Sequence, residues 1–94
     1  MRTVLILLVA AAPGLGQAGK AELFGTILDP SGLAVPAAQV QAEDQATKVR
    51  FAASTNERGE YHLLGLPAGE YVVTVEREGF RTYQRAGITL RMAD

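Results

Sequence analysis

One histidine, ten acidic side chains and no cysteine set the chemical reach of this 94-residue chain. Without cysteine there is no thiolate nucleophile, no thiolate metal site, no disulfide and no lipid anchor on sulfur. His62 falls on the outward parity of the short alternating run Glu60 to Leu64, so it is expected to face solvent and not a pocket. Ser54 and Asp44 would be the partners for a serine triad, but no nucleophile elbow surrounds the serine. Asn56-Glu57-Arg58-Gly59 shares a glycine with calcium loops and lacks their alternating carboxylates. The sequence therefore predicts no catalytic residue, no metal site and no cofactor. A weak ligand face is the most these side chains offer. Tyr83, set between Arg81 and Arg85, could hold an anion or a sugar, although a solvated edge strand accounts for the same three residues.

The elements that must carry these side chains begin after an N-terminal stretch of a different kind. Arg2 precedes an unbroken apolar run from Val4 to Ala12, Pro13-Gly14 then interrupts it, and Gly16-Gln17-Ala18 supplies small residues at the positions a signal peptidase reads. Nine apolar residues fall well short of the roughly 20 that cross a bilayer. Residues 1–18 read as a helical signal peptide cut after Ala18, and residues 19–94 as one domain exported to the periplasm, the outer membrane or the extracellular space. No membrane span is expected in the mature chain. Its 76 residues carry eight basic and ten acidic side chains, a balance that argues against nucleic acid, which needs a clustered basic surface. A cysteine-free domain of this size relies on packing alone, so its stability is modest and a larger neighbour would help it.

Beyond residue 20 the hydrophobic period is two, not 3.6. Leu23, Gly25 and Ile27 share one face of the first run, Ala38, Val40 and Ala42 of the second, and Val49, Phe51 and Ala53 of the third. Tyr61 and Leu63, then Tyr71, Val73 and Val75, point inward in the fourth and fifth. Two short terminal strands, Arg81 to Arg85 and Ile88 to Met92, complete an antiparallel sandwich. Phe24 and Leu28 lie on the face opposite Ile27, so a second layer covers them or they form a docking surface. Three reversals join the strands. Asp29-Pro30-Ser31-Gly32, Asn56-Glu57-Arg58-Gly59 and Leu66-Pro67-Ala68-Gly69 each end on glycine, the pattern of a type I turn followed by a left-handed residue. The third is expected to be a hairpin, with Leu66 as an apolar plug. Tyr71, two residues on, is expected to bury its ring and bond its hydroxyl to nearby backbone, as a tyrosine corner does. Phe80, after Gly79, reads as a plug at one end of the sandwich.

The run from Thr55 to Phe80, with its glycine turn, aromatic strand, Leu66-Pro67-Ala68-Gly69-Glu70-Tyr71 segment and closing Gly79-Phe80, resembles the carboxypeptidase regulatory-like domain. Gly25 to Gly32 and Val35 to Val40 resemble its opening strand, first turn and second strand, so the likeness runs from Leu23 to Leu90. Asn56 stands where that family often has Asp, an exchange that a turn accommodates. The resemblance implies an all-β, seven-stranded antiparallel transthyretin-like (prealbumin, Ig-like) sandwich preceded by the signal helix. It also implies a larger partner, an envelope protein or neighbouring domain, such as a carboxypeptidase or an outer-membrane receptor of the TonB-dependent type. The expected role is a non-catalytic accessory module. Two alternatives stand beside it: a carbohydrate-binding module of starch-binding-like fold with a polysaccharide partner, and a truncated fragment of a peptidase or transporter. Fold alone is a weak warrant for sugar binding, and the chain has no Trp. N-terminal sequencing of the protein from the cell envelope should read from Gly19; recovery of intact Met1 from the cytoplasm would rule out export.

Overall fold

Alternation sorts the side chains of each run between a shared core and two outer faces, and antiparallel pairing joins the runs into two sheets. The computed structural model describes residues 6–13 and 20–91, the former by backbone alone. The strands are β1 (Ile6–Pro13), β2 (Lys20–Leu28), β3 (Gln39–Asp44), β4 (Arg50–Ser54), β5 (Glu60–Pro67), β6 (Gly69–Glu76) and β7 (Tyr83–Leu90). One sheet has the order β1-β2-β5, the other β4-β3-β6-β7, and every pairing is antiparallel. Leu23, Ile27 and Leu66 from the first sheet meet Val40, Tyr71, Val73 and Val75 from the second, all fully buried. Ala21, Val35, Ala38, Ala42, Tyr61, Leu63 and Leu90 fill the remaining core. Half-buried Phe51, Phe80, Tyr83 and Ile88 pack around its rim.

Two expectations about strand number and type need correction. Between Lys20 and Leu90 there are six strands and not seven, because the two short terminal strands are one. Tyr71 pairs with Ile88 and Val73 with Arg85, so Ala86 and Gly87 together oppose Val72. This is a β-bulge, and Gly87 at φ 77° takes the left-handed conformation that lets the strand run through it. Met92 lies outside the described residues. Gly65, at φ 70°, does the same for β5, where Leu64 and Gly65 oppose Glu22 alone. The second correction concerns the leader. Ile6–Pro13 is extended and pairs with β2, not helical. Its apolar, partly β-branched run answers the open hydrogen-bonding groups along the β2 edge, and the pairing satisfies both backbones. The neighbourhood of the expected cleavage site lies outside the described residues.

The reversals divide two to one. Asp29 and Asn56 build the same turn. In each, the glycine N–H donates to the carbonyl of the first residue (Gly32 to Asp29, 2.8 Å; Gly59 to Asn56, 2.9 Å). In each, the first side chain accepts two further N–H groups through Oδ1: Ser31 and Leu33 at 2.9 Å for Asp29, Arg58 at 2.8 Å and Glu60 at 3.0 Å for Asn56. Gly32 (φ 88°) and Gly59 (φ 75°) are left-handed. The segment 66–69 is not a hairpin. Pro67 ends a strand of one sheet, Gly69 begins a strand of the other, and only Ala68 stands between them. Gly69 has φ 156°, far from the left-handed well, because the chain steps across the sandwich instead of folding back. Val49 also departs from expectation and is half exposed, since Lys48 (φ 64°) turns the chain and β4 starts only at Arg50.

Gly32 and Gly59 differ in surroundings although their turns match. A Cβ on Gly32 meets nothing within 4 Å, whereas on Gly59 it would lie 2.6 Å from the Ile27 carbonyl oxygen and 3.2 Å from the Val35 nitrogen. Gly32→Ala should therefore cost only the left-handed penalty, about 1 to 2 kcal/mol. Gly59→Ala adds a backbone clash of roughly 1 to 3 kcal/mol. Urea midpoints of the two variants should differ in that order, and equal midpoints would contradict the close approach at Gly59.

Candidate functional site

Buried polar groups are where chemistry would first be sought, and here they are tied into structure. The Thr55 hydroxyl donates to the Val35 carbonyl at 2.6 Å and accepts the Ala38 N–H at 2.9 Å. It thereby pins the crossing segment that leads into β3. Asp44 is buried at the end of β3, where Oδ1 accepts the N–H groups of Ala46 (2.9 Å) and Thr47 (3.4 Å) and closes the turn into β4. Among the described residues, both side chains bond only to backbone. Ser54 is exposed and accepts a hydrogen bond from the Gln39 side chain at 3.0 Å, so the pair considered for a triad is not assembled. Sequence reasoning did not find the latch made by Thr55. Its signal was a threonine beside a turn, which has no meaning until Val35 and Ala38 are brought to it.

Tyr71 donates its hydroxyl to the Pro67 carbonyl at 2.7 Å, with the ring wholly buried and tilted against Phe51. The bond braces the crossing from β5 to β6. Burial, reinforced by the nearby Asp44 charge, pushes its hydroxyl up to about 12. Tyr61 is also buried, and among the described residues its hydroxyl has no hydrogen-bond partner; burial again pushes it up to about 12. The Asp29 carboxyl is held below its ordinary value, first by the Leu33 N–H and then by the Ser31 hydroxyl, and is an exposed turn residue. Gly79 (φ 86°) lies in the loop between β6 and β7, where the Phe80 N–H donates to the Arg77 carbonyl at 2.9 Å. Leu66 is fully buried and Pro67 half-buried beside it.

Of the weak ligand face expected at Arg81, Tyr83 and Arg85, the last two fall on one side of β7 and Arg81 lies outside the strand. Tyr83 opposes Val75 and Arg85 opposes Val73, so both lie on the core-facing side of β7, and the Tyr83 ring packs on the core rim. Arg81 precedes the strand and is exposed. The outer face of the other sheet is better organised. Phe24 and His62 are directly opposite on β2 and β5, edge to face with ring centroids 5.7 Å apart. His62 Nε2 lies 3.2 Å from the Glu22 carboxylate. With Thr26, Ser54, Asn56 and Glu60 they line an open groove of about 710 Å³. Phe24 is 37% exposed and Leu64, on the same face of β5, is 63% exposed. The outward placement of Phe24 was legible from parity; its pairing with His62 depended on the register of strands nearly 40 positions apart.

Among the described residues no cluster of three His, Asp or Glu side chains could hold a metal ion, and no helix is long and apolar enough to cross a membrane. Residues 22–94 match the family model described as carboxypeptidase regulatory-like domain. Among curated proteins and among solved structures, nothing matches the chain.

The two buried tyrosines give opposite expectations. Tyr71→Phe loses a hydrogen bond and leaves the Pro67 carbonyl without it, a loss of about 0.5 to 1.5 kcal/mol. Tyr61→Phe removes a hydroxyl that has no partner and should be neutral or stabilising. Both hydroxyls release protons near pH 10 in the unfolded chain and near 12 in the fold. Their contribution to stability is thus complete below pH 10 and falls as pH rises towards 12. Melting curves of the wild type and both variants from pH 8 to 12 test this; an unchanged midpoint in Tyr71→Phe would refute the brace.

Proposed function

Because the chain belongs to the carboxypeptidase regulatory-like domain family, a family of non-catalytic β-sandwiches, we propose that it is an exported accessory module that attaches to a larger protein of the cell envelope. The family match, which runs from Glu22 within β2 through all of β7, carries this reading. The geometry supports it from a second side. The buried polar groups Thr55, Asp44 and Tyr71 spend their hydrogen bonds on backbone, and His62 is engaged with an exposed carboxylate and not with a nucleophile. Chemistry of that kind holds a shape. The N-terminal charge, apolar run and small residues support export, and the exposed Phe24 and Leu64 support a surface that works in contact. A receptor of the TonB-dependent type or a carboxypeptidase is the kind of neighbour in which such a module serves.

The Phe24–His62 pair in its open groove favours one second reading, a polysaccharide site, since an exposed ring beside polar side chains suits the apolar face of a sugar. Affinity electrophoresis through starch and related polysaccharides separates the two. Unretarded migration, together with chemical cross-linking to one larger envelope protein in cells, is expected for the accessory module. Retardation abolished by Phe24→Ala would establish the sugar site instead. A panel of peptide and glycoside substrates should show no turnover above buffer, and turnover that survives purification would overturn the non-catalytic role.

A further inference from the structure

The lateral edges of the two sheets are not equally guarded. β4 is five residues long and opens on Arg50. β7 is bulged at Ala86–Gly87 and exposes Gln84 and Arg85. β5 is bulged at Leu64–Gly65, carries Glu60 and His62, and ends on Pro67. Short length, charge, proline and bulges are the devices that keep a sheet edge from pairing with another chain. β2 has none of them over most of its length. It runs for nine residues without proline, its charges Lys20 and Glu22 stand at its start, and Leu23 to Leu28 is uncharged. In the structure that edge is occupied. Ile6–Pro13 pairs with it residue for residue, from Ile6 opposite Leu28 to Pro13 opposite Ala21, with no bulge. The same strand lies against β7 of the facing sheet. The whole of β1 lies within residues 1–18, read as a leader, so processing after Ala18 would remove the strand and leave its place open.

We propose that the outer edge of β2 is a strand-acceptor site: after processing it takes an extended, uncharged apolar segment of about eight residues from the envelope partner, antiparallel to β2. This rests on the export reading and adds to it the surface and the mode of attachment. The chemistry of the occupant follows from the segment seated there, Ile-Leu-Leu-Val-Ala-Ala-Ala-Pro, which is apolar throughout. A strand in that register hydrogen-bonds to the β2 backbone and sends every second residue to the side of Leu23 and Ile27, at the open end of the core. Backbone pairing supplies the attachment, and the alternate side chains supply selectivity.

Hydrogen exchange on three samples tests this: the full chain with Ala18→Arg to block processing, the chain from Gly19, and that chain with a synthetic Ile6–Pro13 peptide bearing a lysine tail. The Ile27 N–H is taken by Gly59, so the alternate amides of Phe24, Thr26 and Leu28 are the ones that face β1. They should be protected in the first, exchange at least tenfold faster in the second, and regain protection in the third. A peptide with proline in place of Leu8 should restore nothing. If the chain from Gly19 is unfolded alone, the peptide should raise its β-sheet circular dichroism, and the proline peptide should not. Equal exchange in the first two samples, or protection at β4 or β7 instead of β2, overturns the site. Protection that grows with protein concentration in the absence of peptide identifies a second copy as the occupant and overturns the proposed partner. N-terminal sequencing of the protein from cells reports on export separately, because the exchange comparison does not depend on where the chain is cut in vivo.

Discussion

Three backbones meet at Ile27, and much of the domain is arranged around that meeting. The Ile27 N–H donates to the Gly59 carbonyl at 2.8 Å, and the Ile27 carbonyl accepts the Val35 N–H at 3.0 Å. Only a residue without Cβ lets the turn before β5 come so near. The approach fixes the register of β5 on β2, which sets Tyr61 and Leu63 into the core and His62 opposite Phe24. It also holds the crossing segment beneath the turn, where Thr55 fastens its other end. The Asn56 side chain completes the arrangement by filling the donors that the tight turn leaves open.

This division of labour explains what could be read from residues alone. Alternation places Leu23, Val40, Ala42, Tyr61, Leu63, Tyr71, Val73 and Val75 inward, because a half-buried strand leaves a signal in its own sequence. The turns at Asp29 and Asn56 are equally local, each side chain bonding within four positions. The bulges at Gly65 and Gly87 are not local in that sense. An isolated glycine in a polar stretch looks like a break, and only a partner strand across from it shows that pairing resumes. Leu66 to Gly69 has the composition of a hairpin and the geometry of a crossing, since which sheet receives β6 is decided by the core and not by the turn. Tyr83 and Arg85, two apart, do share one side of β7; that it is the core-facing side, with the Tyr83 ring on the core rim, is decided by their pairing with Val75 and Val73.

The functional reading has the same structure. The buried polar groups Thr55, Asp44 and Tyr71 are occupied in holding turns and crossings. What remained open was surface. The Phe24–His62–Glu22 cluster unites residues from two strands that the sequence keeps far apart, and no motif marks it. Family membership supplies the class of role, a non-catalytic sandwich, and the contacts supply the places where such a domain can be gripped.

The order of the strands has a consequence in time. β3 with β4, and β6 with β7, are neighbours along the chain and can pair soon after they are made. β2 must wait for β5, with Gly25 paired to Tyr61 across everything in between. Closing so long a loop costs entropy before any contact compensates it, so sheets of this topology form slowly. Pairs of strands adjacent in the chain can exist while the join between β2 and β5 is still missing. The sheet that carries β2 is therefore the last to be completed, and the core between the two sheets closes only when β5 arrives.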